Sequence, residues 1–497
     1  MNMKYTLILW ASLFLNANEC HSMVPDWQPD NENIVRELSL PEIFSDNMVL
    51  QQNSEVIVWG EADPNDTIIV KGTWNSQEVK TLTDINSKWK VILKTPAADN
   101  KPYQLIVKGK QTKIFNNVLL GEVWLCSGQS NMAFQTSGTL NAKEELKMAD
   151  YNNIRLLNIP QREAKEPQKN VNASWNICTP ENVKSFSAVA YFFGKELNQK
   201  LSVPVGLINA SMGCSHIEQW INKEEFQEAP DDLIKDEFQK VPDELVFSEG
   251  HNADCDFHGI SNYYNGMIAP ITPYAIKGVI WYQGESNRFY PANYLRLQQI
   301  MVNQWRKLFS KDLSFYLVQI APFKYQGQQE IGAVLVREAQ LQMSQYPGCG
   351  MVVTTDIGNP DDIHPTNKQE VGRRLSLLAL TNDYHKKGMV CSGPIYRYYE
   401  KINNKIEIHF DYANGGLTFK EESLPEIFIA GNDRVFKAAK AKICKNDKSV
   451  LVVWSDEVID PIAVRYGFSA LATSCLCNKE GLPASPFRTD NWLLEDY

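Results

Sequence analysis

Between residues 117 and 391, apolar runs of strand length alternate with longer amphipathic segments. No other feature of the chain limits its fold as much. Strands are predicted at Val118–Cys126, Val205–Asn209, Lys277–Tyr282, Phe315–Ile320 and Met351–Thr355. Helices are predicted at Ser187–Leu201, Asn293–Phe309, Val334–Tyr346 and Lys368–Thr381. A repeated strand–helix pattern predicts a parallel sheet with helices on both faces, a three-layer α/β unit. In such a sheet the loops after the strand C-termini form the site.

The flanks read differently. Residues 36–116 carry short strands, among them Glu55–Gly60, Thr67–Lys71 and Tyr103–Val107, with turn signals such as Asp63-Pro64-Asn65 between them. From 392 the chain returns to β, with an alternating run at Lys405–Phe410 and an apolar one at Val450–Trp454. Short strands at this spacing suggest β-sandwich-like units. At 497 residues the chain is too long for one core. Three domains are therefore expected, at 36–116, 117–391 and 392–497.

Lys4 precedes an apolar run from Tyr5 to Leu15, and Ala17 stands at a cleavage position. Residues 1–20 read as a signal peptide, because the run is too short to span a bilayer. Cys20 raises a lipoprotein alternative, which the preceding Ala17-Asn18-Glu19 fits badly. Export to the periplasm, the cell surface or the medium follows as an expectation, with the lysosome as a further destination in a eukaryote. No later segment is long and apolar enough for a membrane helix. Net charge is -10 and there is no Lys/Arg block, which argues against a nucleic-acid partner. The ten cysteines show no even disulfide framework. Cys-x-x-Cys and His-Glu-x-x-His are absent, so no metal site is expected. Most of the cysteines are expected to be small buried apolar residues.

Four loops after predicted strands carry chemistry. Ser130 follows the first strand in Gly128-Gln129-Ser130-Asn131-Met132. Serine is a poor nucleophile unless a base takes its proton and a third group orients the base. By itself Ser130 is equally a turn or N-cap residue. His364, in Asp361-Asp362-Ile363-His364-Pro365, is the candidate base. Asp361, three residues before it, has the offset to hold Nδ1–H; Asp362, two before, is the alternative. By itself His364 is more readily a solvated loop residue. Acyl transfer also needs donors aimed at the oxyanion. Gly213, in Ser211-Met212-Gly213-Cys214-Ser215, offers a backbone N–H, and Asn287, in Gln283-Gly284-Glu285-Ser286-Asn287, a side-chain amide. Their structural alternatives are a plain turn and an Asx-turn or cap. The four together, each just past a strand and in chain order, form an improbable accident.

Here the chain resembles a known family. Gly121–Met132 is similar to the nucleophile block of the sialate O-acetylesterase family, a branch of the SGNH hydrolases. Ile280–Asn287 resembles its asparagine block, Asp362–Gly372 its histidine block, Asn209–Trp220 its glycine block, and Ser45–Gln52 its N-terminal β-domain. The resemblance implies the SGNH, flavodoxin-like fold and a secreted serine esterase that removes O-acetyl groups from sugars through an acetyl-enzyme. It implies Ser130 as nucleophile, His364 as base and then acid, and Asp361 as orienting carboxylate. The Ser130 and Gly213 N–H groups and the Asn287 amide would form the oxyanion hole. No cofactor is implied. The chain departs from the family at Gly213-Cys214-Ser215, where two glycines and a threonine are common. If Cys214 must take a positive φ, that loop is strained.

Gln129, Gln283, Glu285 and Arg337 are further candidates to bind sugar hydroxyls, with an ion pair as the structural alternative for Arg337. Glu218 and Trp220 are candidates to shape the pocket, and Trp281 reads as core. His216, His251 and His258 lack a carboxylate at a telling offset, and Asp254–His258 is the one cluster to locate. Three functions remain open. The expected substrate is O-acetylated sialic acid. Acetylated plant polysaccharide of the xylan or xyloglucan type is the alternative, and a non-catalytic carbohydrate-binding protein the third. The sequence leaves oligomeric state open.

Overall fold

A computed structural model describes residues 37–227, 259–310, 312–420, 426–492 and 494. The expected signal peptide and Asp254–His258, with His251, lie outside the described residues. Residues 37–497 group into one compact unit.

Six parallel strands make the central sheet. They are β1 (Thr112–Gly128), β2 (Tyr151–Asn158), β3 (Val205–Ser211), β4 (Gly278–Tyr282), β5 (Ser314–Val318) and β6 (Cys349–Val352). Their order is β6-β5-β4-β1-β3-β2, with Asn176–Cys178 antiparallel on the outer edge of β2. β1 is the switch point, since the strands that follow it lie first on one side, with β3 inserted between β1 and β2, and then on the other, from β4 out to β6. Ligands bind at such a point, beyond the strand C-termini. Ser130 stands there, two residues past β1.

Both faces of this sheet are covered. Along β1, Val123 and Leu125 enter one apolar cluster, and Trp124 and Cys126 enter another. This is the period-two alternation of a strand buried on both sides. The first cluster holds α2 (Tyr294–Leu308) and α3 (Gln328–Met343), and the second holds α1 (Ala188–Leu201) and α4 (Lys368–Asn382). The four predicted helices thus form. The last begins at Lys368 as expected, and α3 begins six residues before Val334, in the polar run Gln328-Gln329-Glu330 that masks its start. Strand β2 was not predicted. Asn152, Asn153 and Arg155 break its apolar run, yet Arg155 is buried and donates to the carbonyls of Asn152, Asn47 and Asn117.

Additional β-sheets stand on both sides in sequence. Ser54–Glu61 pairs with Lys88–Thr95. Thr67–Gly72, Glu78–Leu82 and Tyr103–Lys108 form a ladder that ends on the N-terminal half of β1. Its C-terminal half then enters the parallel sheet, so the boundary expected at 116/117 falls inside one continuous 17-residue strand. In the C-terminal region Ile395–Ile402, Lys405–Asp411, Val450–Trp454 and Lys440–Ile443 form one antiparallel sheet, and smaller sheets complete a third apolar cluster.

Candidate active site

Gly128 ends β1 with φ +136°, and a Cβ there would sit 2.2 Å from the Tyr282 carbonyl oxygen. Only glycine accommodates this turn against β4. The Gln129 N–H donates to the same Tyr282 carbonyl at 2.9 Å, and the Gly128 carbonyl accepts from Met212 N–H at 2.9 Å. The turn is thereby fastened to the C-termini of β4 and β3. Ser130 then opens a one-turn helix, Ser130–Ala133. As its first residue, Ser130 has an N–H without an intrahelical acceptor. The Ser187 hydroxyl, at the N-cap of α1, donates to the Met132 carbonyl at 2.6 Å and fixes the other end of the turn.

His364 arrives from the opposite side, on the loop between β6 and α4. Its Nε2 lies 2.8 Å from Ser130 Oγ. Burial and the positive charge of Lys368 push the imidazole below its ordinary pKa, and Asp362 opposes them. Asp362 Oδ1 also accepts the His364 backbone N–H at 2.8 Å. Asp361 instead turns to solvent, where it pairs with Lys324. Among the described residues neither carboxylate is bonded to a His364 ring nitrogen, and Asp362, itself exposed, acts on the imidazole through its charge. The loop folds back through an Asx-type bond over two residues rather than three, and this aims Asp361 away from the ring.

The glycine loop lies against the nucleophile. A Cβ built on Gly213 would meet Ser130 Cβ at 3.8 Å, and the Gly213 N–H has no hydrogen-bond partner among the described residues. Cys214 takes φ +57° and is disulfide-bonded. The conformation that made this position doubtful in the sequence is the one observed. It costs roughly 1 kcal/mol for a non-glycine residue, and a covalent bond holds it. The other seven described cysteines carry no disulfide, and five of them are buried.

Asn287 is fully buried at the end of β4. Its carbonyl oxygen accepts from Ile217 N–H at 3.0 Å and from the Gln283 amide at 2.7 Å. Those two bonds leave the amide only one orientation. Its Nδ2 donates to Glu218 Oε2 at 2.9 Å and Oε1 at 3.1 Å. Glu218 is thus tied to the asparagine, a link that its spacing of 69 residues from Asn287 concealed.

The four candidates for sugar contact are placed otherwise. Gln129 is buried, and its side-chain oxygen accepts from Gly284 N–H at 3.1 Å. Gln283 is buried between Ser215, Asn287 and the Tyr294 hydroxyl. Glu285 is buried, and its Oε1 accepts from Asn131 Nδ2 at 2.6 Å. Arg337 is 2% exposed, with its guanidinium donating to the carbonyls of Ile320, Ala321, Ser469 and Ala470. It forms no ion pair among the described residues, and its donors are taken up by backbone carbonyls. A guanidinium can stay charged there because oxygens surround it, although burial brings it down to about 10. Trp281 and Trp220 are core residues in edge-to-face contact. His216 is buried beside them.

Residues 120–380, more than half of the chain, match the family described as carbohydrate esterase, sialic acid-specific acetylesterase. The chain belongs to this family. It is 27% identical to the sialate O-acetylesterase of Mus musculus over 425 residues, 74% of this chain and 78% of the relative. To the Homo sapiens enzyme it is 28% identical over 407 residues, 74% and 75% of the two chains. A novel carbohydrate acetylesterase from Xanthomonas citri superimposes with a TM-score of 0.81 at 33% identity, over 92% of this chain and all of that one. The esterase is thus a carboxylic ester hydrolase of a family that deacetylates sugars, and its core residues Ser130, Asn287 and His364 all fall within the matched segment.

Proposed function

We propose that the esterase is an exported serine hydrolase that removes O-acetyl groups from sialic acids through an acetyl-enzyme. The contact of 2.8 Å between His364 Nε2 and Ser130 Oγ carries this reading. Ser130 Oγ attacks the acetyl carbonyl as His364 takes its proton. The oxyanion is held by the N–H groups of Ser130 and Gly213 and by the side-chain amide of Asn287. His364 then protonates the departing sugar oxygen, leaving acetyl-Ser130. Water, giving its proton to His364, attacks the acetyl group, and the proton returns to Ser130 as acetate leaves. Asp362 supports the imidazolium that forms in each half. A non-catalytic carbohydrate-binding role is disfavoured, because serine and base already stand in hydrogen-bond contact.

Replacing Ser130 by Ala tests the mechanism. Hydrolysis of a simple acetyl ester such as p-nitrophenyl acetate falls on the order of 10⁴-fold or more, while the unfolding midpoint stays within a few degrees. Turnover at the native rate would remove serine catalysis from consideration.

The substrate has a second reading. The esterase is more alike in sequence to the Xanthomonas citri carbohydrate acetylesterase than to the two mammalian relatives. That supports a carbohydrate acetyl ester more broadly, and acetylated plant polysaccharide of the xylan or xyloglucan type is the alternative to sialate. Acetate release from sialosides and plant oligosaccharides with defined O-acetyl positions separates the two. Export is tested by the N-terminus of the mature chain, expected just after the apolar run that ends at Leu15.

A further inference from the structure

Lys368 begins α4, four residues past His364, and is 1% exposed. Burying an ammonium is costly unless a partner compensates. Among the described residues no carboxylate lies within ion-pair distance of it. Its Nζ donates instead to Asn131 Oδ1 and sits 5.1 Å above the Phe134 ring and 5.3 Å above the Tyr282 ring. Asn131 is fully buried and directly follows the nucleophile. Its Nδ2 donates in two directions, to Glu285 Oε1 at 2.6 Å and to the Ile363 carbonyl at 3.0 Å. One amide thus bridges the Ser130 turn to the residue before His364. The second Glu285 oxygen is buried without a partner. Cation, amide and carboxylate form one hydrogen-bonded chain, and the amide cannot rotate without breaking bonds at both ends.

We infer that Lys368, acting through the Asn131 amide against Glu285, is a positioning residue that holds the nucleophile turn and the histidine loop in reacting register. The inference rests on the Ser130–His364 reading. Neither Lys368 nor Glu285 touches substrate in this role. Lys368 faces Asn131 and Phe134 from the nucleophile turn, Tyr282 and Glu285 from the end of β4, and Asp362 from the histidine loop. His364 faces Ser130 and Phe134, Asp362 on its own loop and Lys368 on α4. Glu285 and Asp362 favour the ammonium and burial opposes it, which leaves Lys368 at about 7. A charge this close to the imidazole also favours its neutral, proton-accepting form.

Two variants test the role. In Lys368→Met, kcat on a small acetyl ester falls by up to roughly a hundredfold, the scale of a misplacement of about 1 Å. KM stays within about twofold, and the acid limb of the kcat/KM profile moves to higher pH, because a positive neighbour has been removed. In Asn131→Leu, kcat falls likewise but the acid limb stays, because Lys368 keeps its charge. A Lys368→Met enzyme with native kcat and native acid limb overturns the inference. Should that variant fail to fold, native kcat in Asn131→Leu overturns it instead. Ser130→Ala run alongside keeps the two readings apart. If Ser130→Ala is inactive while both network variants are normal, the mechanism stands and the positioning role falls; if Ser130→Ala is active, the mechanism itself falls.

Discussion

At the scale of single residues the site depends on a few buried amides. Asn287 is held by three partners, so its Nδ2 has one place to point. Asn287→Ala is expected to lower kcat by about 10²–10³-fold, as for loss of one oxyanion donor elsewhere, with the melting midpoint and KM read in parallel. His364 bears on pH. Neutral imidazole is the active form, and burial with Lys368 depresses its pKa. Activity therefore persists below the free-histidine value near 6.5 and is lost as pH falls through the depressed value. A kcat/KM profile whose acid limb lies above 6.5 would contradict this assignment. Ser130, His364 and Asn287 were legible because each sits in a short motif just past a predicted strand. Arg337, Gln129 and Glu285 are buried and bonded to protein groups, and a polar side chain near a motif looks alike in sequence whether it faces substrate or a buried carbonyl. Only the count of filled donors separates the two, and that count needs coordinates. Asp361 and Asp362 are both exposed, and of the two only Asp362 acts on the imidazole, through its charge, a difference of one residue that spacing does not resolve.

At the scale of elements, turns position the chemistry more than helices do. Gly128 meets the Tyr282 carbonyl too closely for a Cβ. Gly128→Ala is expected to separate β1 from β4 at their C-termini, lowering both kcat and the unfolding midpoint in the same variant. A loss in one without the other would break the link between strand contact and nucleophile geometry. The five strands and four helices predicted for the central unit form, because their apolar periods are uninterrupted. β2 was missed for the opposite reason: its buried Arg155 is satisfied by carbonyls contributed from residues 47 and 117, far away in the chain. Long-range satisfaction of a buried polar group leaves no local trace.

At the scale of the whole molecule the C-terminal β-region is bound into the catalytic unit. Arg337 on α3 donates to the carbonyls of Ser469 and Ala470, and Arg488 forms a bidentate pair with Glu338 at 2.7 and 2.9 Å. Ending the chain at residue 391 would remove two of the four carbonyls around the Arg337 guanidinium and expose the cluster that Ala470 joins. Such a truncation is expected to lose the cooperative unfolding transition and ester turnover together. A truncated chain that melts sharply and turns over normally would show that the region is an appendage. Arg337→Met in the full chain gives the milder form, costing on the order of 3 kcal/mol with KM of the folded enzyme unchanged.

The long β1 has a consequence for recombination. Val49 pairs with Leu119 on its outer half, and Ser211 pairs with Gly128 at its inner end. One strand therefore serves as a ruler between two ladders, and it is bulged at one point: Asn117 takes φ +53° and the pairing shifts register between Tyr103–Val118 and Leu105–Phe115. A chimera that joins the N-terminal region of one homologue to the catalytic region of another inside this ruler meets two outcomes. A single residue gained or lost in the regular part inverts the facing of every side chain on one side of the join. The same change at Asn117 falls where the ladder already carries an extra residue. Viable crossovers should then cluster upstream of Thr112, at the Asn117 bulge, or beyond Ala133.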